Sequence, residues 1–454
     1  MKVNIRAIAG LLAAGVAGAA FAEVSTDEAK QLGGALTYMG AEKAGNKDGT
    51  IPEYTGQVLK VVIDPKNPGL RSDPFANEKP LFSITAQNAA KYADKLDGMI
   101  EMFKIHPNYR MDVYPTHRTS TLPKYVIDNT LKNVTKCKGT QNDLILVGCY
   151  GGIPFPIPKS GTQVMWNHLT AFEFYTQSTN AHSFVVPTSG SPVLVNGNNG
   201  AQQWPGYEPG RTTPMEGKEQ YWQLRLDYTA PARQVGEKLV LLDPFDTINY
   251  GRRAYTYIPG QRRVKLAPDL AYDTPAPTAG GASNMDDAKG WLGALDRFDF
   301  KLVGKKEKFI IANSYKYQDP KVCPFEKTLT PKFPNPDCVR WELRRVWAVE
   351  GTVKPQFRHT SPKRNLFWDE DGFAGGVSEN YDASGKLYRV VLVNSFPLGE
   401  GNGTNSSSFF TLDMHTGVYT LQGGTSYPGG GFYSIPAKSA SYFSPEVLAG
   451  EGIR

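Results

Sequence analysis

The sequence is poor in the residues and motifs that usually announce a chemistry. Only four cysteines and six histidines occur in 454 residues, and no two cysteines form a Cys-x-x-Cys pair. That excludes the common four-thiolate zinc arrangement. His106, His117, His168, His182, His359 and His415 share no metal-ligand spacing, so neither a metal nor another cofactor is expected. There is no Gly-x-Ser-x-Gly elbow, no His-Glu-x-x-His and no phosphate loop ending in Gly-Lys-Ser/Thr, which removes three large enzyme classes. The formal net charge of +6 is spread along the chain. Nucleic-acid binding would need a basic run or stripe, so no nucleic-acid partner is expected. Beyond Phe21 no apolar run approaches the ~20 residues of a spanning helix, and permanent membrane insertion is not expected.

What is present begins with the first residues. Lys2 and Arg6 precede an apolar run from Ala7 to Phe21 that ends Ala20-Phe21-Ala22 before Glu23. This is the charged start, apolar middle and small-residue cleavage site of an export signal. The run holds about 15 residues and is broken by glycines, too short for a membrane anchor. We expect a cleavable signal at 1–22, with 23–454 as one large domain carrying loop insertions. No cysteine lies at the expected cleavage point, so a lipid anchor is not expected. In such a compartment Cys137 with Cys149, and Cys323 with Cys338, read as two local disulfides.

The periodicity is mainly that of antiparallel sheet. Trp222, Leu224, Leu226 and Tyr228 alternate with Gln223, Arg225 and Asp227. Phe298, Phe300 and Leu302 alternate with Asp299 and Lys301, and Val339, Trp341 and Leu343 with Arg340, Glu342 and Arg344. The phase then shifts so that Trp347 and Val349 align, which predicts a bulge or bend. Further strands are predicted at 57–64, 252–258, 264–266, 309–314, 387–394, 409–413 and 418–422, the last two joined by a turn at Met414-His415-Thr416-Gly417. Helices are predicted at 26–32, 85–103 and 160–175. The middle one carries a stripe of Ala89, Ala93, Leu96, Ile100 and Phe103. Polar or Gly/Pro-rich stretches at 189–217, 273–290, 399–408 and 422–431 read as surface loops and lids. Strand does not alternate with helix, so the fold class is mainly β, antiparallel, with a few helices packed on it.

Two charged features stand out. Asp369-Glu370-Asp371-Gly372 reads as a solvated strand-end turn, with a Ca²⁺ site or a hydrolase carboxylate pair as the alternatives. Arg252-Arg253 and Arg262-Arg263 flank a hairpin tip at Ile258-Pro259-Gly260, and alternation sends one arginine of each pair to each face. An inward arginine is suited to an anionic head group, whereas an outward one only solubilises, and the second reading is preferred.

Several separated motifs resemble one family. They are Gly151-Gly152-Ile153-Pro154-Phe155-Pro156 leading to Trp166-Asn167-His168; Arg262-Arg263-Val264-Lys265-Leu266-Ala267-Pro268 with Tyr272-Asp273; Trp341-Glu342-Leu343-Arg344-Arg345-Val346-Trp347; and Tyr381-Asp382-Ala383-Ser384-Gly385-Lys386-Leu387. Together they are similar to the bacterial family numbered 1329 among domains of unknown function, whose members are often labelled outer-membrane lipoprotein-sorting proteins. The resemblance implies the architecture of the periplasmic lipoprotein carriers. That is a curved, incompletely closed antiparallel β-barrel with helices covering an apolar cavity. It implies a periplasmic location, a partner such as a resistance-nodulation-division-type transporter or an outer-membrane acceptor, and no established catalytic residues. The leading expectation is therefore a non-enzymatic carrier for a hydrophobic small molecule, lipid or acyl chain. Its cavity is expected to be lined by Trp222, Leu224, Leu226, Phe298, Phe300, Trp341 and Leu343. A structural protein of the envelope and a periplasmic hydrolase using Asp369 or Asp371 are the alternatives.

Overall fold

The computed structural model describes residues 24–399 and 403–451. The expected export signal at 1–22 lies outside them.

The framework is one sheet of 16 strands. In chain order the first half holds β1 (Phe82–Ile84), β2 (Met111–Val113), β3 (Thr176–Val186), β4 (Val193–Gln203), β5 (Gln220–Ala230), β6 (Lys238–Pro244), β7 (Arg253–Ile258) and β8 (Arg263–Leu266). The second half holds β9 (Phe298–Ile311), β10 (Trp341–Val353), β11 (Lys363–Asp369), β12 (Gly376–Tyr381), β13 (Leu387–Pro397), β14 (Thr404–Asp413), β15 (Tyr419–Gly424) and β16 (Gly431–Ser434). Spatial order is β8-β7-β6-β5-β4-β3-β15-β14-β13-β12-β11-β10-β2-β1, with β9 also on β10 and β16 on β3. All pairings are antiparallel except one parallel contact, Trp341 with Val113. The sheet is not closed: β8 and β9 do not pair, and residues 267–297 run between them.

Two helices, α1 (Lys124–Lys136) and α2 (Gly161–Leu169), contribute buried residues to the main core. Ser160 caps α2, its hydroxyl accepting from the Gln163 N–H at 3.1 Å. All nine residues of α2 are buried, as expected of a helix enclosed on every side. Leu224, Leu226, Leu239 and Leu241 near one end of the sheet share a single core with Phe298, Phe300, Leu366 and Trp368 near the other. Val164, Met165, Trp166 and Leu169 of α2 belong to that same core. The sheet therefore curls around α2. Gly161 permits the close approach, since a Cβ there would stand 2.5 Å from the Phe300 carbonyl oxygen. A second core joins Phe309, Trp341, Leu343 and Phe410 to Leu96, Met102 and Phe103.

Mainly antiparallel β structure agrees with the sequence, as do both disulfides, Cys137–Cys149 and Cys323–Cys338. The differences are informative. The helix expected at 85–103 is broken, because Asp97 at φ 50° separates Ala93–Leu96 from Ile100–Ile105. The helix expected at 160–175 ends at Leu169, and that expected at 26–32 spans Thr26–Ala29, capped by Ser25. Of the strand expected at 57–64 only Ile63–Asp64 forms. The strands expected at 297–303 and 309–314 are one strand, β9. The irregularity expected in β10 sits on this partner instead, between Leu302 and Gly304, where Val303 is squeezed out to solvent.

The largest corrections concern the stretches read as loops. Segment 189–217 contains β4, a central strand of the sheet. Within 399–408, β14 starts at Thr404, while 400–402 lie outside the described residues. Segment 422–431 is divided between the end of β15, a turn and the start of β16. Segment 273–290 is not a surface loop: Ala276, Ala279, Ser283, Met285, Asp286 and Asp287 are all buried.

A plugged cavity inside the curled sheet

Residues 267–297, leaving β8, fold inward across the concave side of the sheet and act as a plug. Their apolar members, Leu270, Ala276, Ala279, Met285, Trp291, Leu292 and Leu295, join the core around α2. Trp291 meets Phe298 and Phe300 edge-on, with ring centroids 5.0 and 5.2 Å apart. Between plug and sheet remains a cavity of about 120 Å³. Trp222, Leu224, Leu226, Leu239 and Leu241 of β5 and β6 form one wall. Thr179, Ser183, Asn198 and Gln202 of β3 and β4 form the next, and Met285, Ala288 and Leu292 of the plug line a third side, leaving the cavity partly open.

Two polar anchorages hold the plug. Asp286 accepts from Arg364 and His359, each at 2.9 Å, and its neighbour Asp287 accepts from Arg389 at 2.5 Å and Asn380 at 3.0 Å. Burial alone would raise the Asp286 carboxyl, but Arg364 and His359 outweigh it and hold it well below the ordinary range. Further along, Lys289 bonds Glu173 at 2.6 Å. Gln422 spans the other side, accepting from Thr278 at 3.1 Å and donating to Ser283 at 3.0 Å. Plug and wall are thus joined by charge pairs whose partners lie far apart in sequence.

Of the seven expected lining residues, Trp222, Leu224 and Leu226 face the cavity. Phe298 and Phe300 lie in the same core but pack on Trp291 behind it. Trp341 and Leu343 belong to the second core and do not line the cavity. Leu239, Leu241 and the polar residues of β3 and β4 were not anticipated. The run Lys238-Leu239-Val240-Leu241-Leu242 carries a strand signal; the polar wall carries none that a loop would not also give.

The charged features resolve differently from their sequence readings. Asp369, Glu370 and Asp371 are buried rather than solvated. Asp371 accepts from Arg118 at 2.6 Å, Asp369 from Arg344 at 2.9 Å, and Glu370 from Arg345 at 2.7 Å. Burial, opposed by Arg344, pushes the Asp369 carboxyl up to about 6. Asp371 moves the other way, because Arg118 and Arg344 overcome its burial. Among the described residues no group of three or more His, Cys, Asp or Glu is placed to hold a metal ion. Arg252 does face inward, but Asp243 occupies it with two contacts of 2.6 Å, leaving no free charge for a head group. Arg253, Arg262 and Arg263 are exposed. His168 lies buried against Trp368, its ring nitrogens 2.8 and 3.1 Å from the Phe373 and Trp291 carbonyl oxygens. Burial pushes its imidazole down to about 4, against those carbonyls.

A second cavity, about 310 Å³, opens between segment 33–58 and α1, lined by Leu36, Tyr38, Met39, Tyr54, Leu122 and Ile127. It lies at the surface, where Tyr38 is 44% exposed. No helix among the described residues is long and apolar enough to cross a membrane.

Residues 83–449 match the profile of the family described as protein of unknown function DUF1329. The chain belongs to the DUF1329 family. An uncharacterized protein of Pseudomonas aeruginosa is 34% identical over 438 residues, covering 95% of each chain. A solved DUF1329 structure from Desulfovibrio piger aligns with a TM-score of 0.41 at 11% identity, over 63% of this chain and 97% of that one. A LolA superfamily protein from Nitrosomonas europaea aligns with a TM-score of 0.35 at 10% identity, over 63% and 99%. The inner cavity, its plug and both anchorages fall inside the segment that matches the DUF1329 profile, whereas segment 33–58 of the outer cavity precedes it.

Proposed function

We propose that this DUF1329 protein is a periplasmic carrier that encloses an apolar molecule, such as a lipid or acyl chain, inside the curled sheet. The reading rests on one observation: an apolar wall of Trp222, Leu224, Leu226, Leu239 and Leu241 faces a cavity partly covered by a separate, ion-paired segment. An ordinary core would meet such a wall with interdigitating side chains and leave few voids. The cavity as it stands, about 120 Å³, is below the ~300–1,000 Å³ usual for ligand sites. Loading a full cargo therefore requires the plug at 267–297 to move outward.

Affinity comes from apolar area removed from water, at about 25 cal/mol per Å². Release requires a partner that binds the open form better than the closed one. A resistance-nodulation-division-type transporter or an outer-membrane acceptor fits that role. Binding rather than catalysis is favoured because Asp369 and Asp371, the carboxylates considered for hydrolysis, are held by Arg344 and Arg118 and do not line the inner cavity.

The test is solvent extraction and mass spectrometry of the purified protein and of Leu226→Trp, which fills the cavity without adding charge. The wild type should yield an apolar molecule that the variant lacks. No extractable molecule from either, together with no binding of a polarity-sensitive apolar dye, would sink the proposal.

A further inference from the structure

The inner cavity is not uniformly apolar, and its polarity is ordered. Moving from β6 to β5 to β4 to β3, the inward residues change from Leu239 and Leu241, through Leu224 and Leu226, to Asn198 and Gln202, and then to Thr179, Ala181 and Ser183, with Phe432 beside Thr179. One flank would suit hydrocarbon and the other hydrogen bonds.

Most of the polar side chains here already have partners. Gln202 accepts from the Trp222 indole at 3.0 Å and donates to Ser407 at 3.1 Å. Gln422 is taken by Thr278 and Ser283 of the plug. Two residues of the cavity wall carry a buried polar atom without a hydrogen-bond partner, Thr179 at its hydroxyl and Asn198 at its amide oxygen. Each is more than nine-tenths buried, at 3% and 6% exposure. Leaving such groups unanswered is costly in a folded interior.

The two lie diagonally across the β3–β4 pair, since Thr179 faces Gly200 and Ala181 faces Asn198. Gly200 has no side chain, and the β5 backbone fills the place where one would stand. A Cβ at Gly200 would stand 1.9 Å from the Arg225 carbonyl oxygen. Asn198 donates to Asn196 at 2.7 Å, and the Asn196 amide nitrogen is also unanswered. Exchanging O and N in both amides would reverse their roles but still leave one donor and one acceptor open. A hydroxyl, which both donates and accepts, answers either arrangement; a carboxylate only accepts. Among the described residues the one charged side chain lining the cavity, Lys289, is neutralised by Glu173.

Resting on the carrier reading above, we infer that the cargo is an uncharged amphiphile whose hydroxyl or comparable neutral polar group bonds Thr179 and Asn198, while its hydrocarbon lies against β5 and β6. Alkyl alcohols, acylglycerols and hydroxylated polycyclic lipids have this chemistry. Free fatty acids and phospholipid head groups do not.

The probes are 1-octanol, n-octane and octanoate, competed at pH 7.5 against a polarity-sensitive apolar dye bound to the full-length mature protein. The variants are Asn198→Leu and Thr179→Val, each checked for an unchanged thermal transition; the second exchanges a hydroxyl for a methyl group. Octanol should displace the dye from the wild type. Each variant should weaken octanol by about two- to ten-fold, the worth of one hydrogen bond, and leave octane unchanged or tighter. Octanol and octane both binding, with neither variant separating them, would overturn the polar-group assignment and leave the carrier reading standing. Tighter binding of octanoate than of octanol would overturn the inference in favour of an anionic cargo. If the dye itself does not bind, the carrier reading fails and this inference fails with it.

Discussion

Replacing Asp287 by alanine should loosen the plug while leaving the sheet in place. The carboxylate is fully buried and accepts from Arg389, Asn380 and the Asn284 backbone N–H. Without it, Arg389 stays buried with its principal counter-charge gone. Breaking one side of a buried ion pair costs about 3–5 kcal/mol. If that cost falls on the closed state of the plug alone, its opening constant rises by roughly two to three and a half orders of magnitude. Hydrogen exchange reads this directly. The Ala276, Gly281, Met285, Asp286 and Leu292 amides are bonded within the plug and its flanks, so their exchange should accelerate by that factor. Amides in the β5–β6 ladder, where Leu226 faces Leu239, should keep their protection. Equal acceleration in plug and ladder would mean that the plug is simply part of the fold. Unchanged exchange in the plug would mean that the Asp287 anchorage does not hold it.

Three further outcomes rest on the same geometry. His168 stays neutral when folded because burial lowers its pKa to about 4, below the ~6.5 of an unfolded histidine. Its contribution is therefore lost as pH falls from about 6.5 to about 4, and His168→Gln should flatten that part of the pH–stability curve relative to wild type in urea melts; parallel curves would contradict it. Replacing Cys323 and Cys338 together by serine removes a cross-link spanning 15 residues and should lower unfolding free energy by about 3 kcal/mol, with no effect of reductant on the variant at this site. Glu173→Gln weakens the Lys289 anchorage and should speed dye entry without changing the far-UV spectrum; unchanged entry would show that this pair does not limit opening.

The sequence revealed those parts of the sheet whose inner face is apolar. β5 was legible because Trp222, Leu224, Leu226 and Tyr228 alternate against polar neighbours. β4 was not, since its inward residues are Asn196, Asn198, Gly200 and Gln202, a pattern that reads as a loop. The plug was hidden for a related reason. Asp286, Asp287 and Lys289 look like surface residues until Arg364, Arg389 and Glu173, 78, 102 and 116 positions away, are brought to them. Asp369, Glu370 and Asp371 were misread as solvated on the same ground: their arginines come from other strands and from the segment before α1. Local pattern reports an apolar face but not a polar interior satisfied at long range. Here two of those polar interiors are the β3–β4 wall of the cavity and the plug beside it.

The most direct measurement is native mass spectrometry of the protein expressed from its full sequence, followed by extraction of whatever accompanies it. The account predicts one bound apolar molecule per chain carrying an uncharged hydroxyl or similar polar group, and its loss from Leu226→Trp. A chain of bare mass that takes up neither dye nor octanol would contradict it.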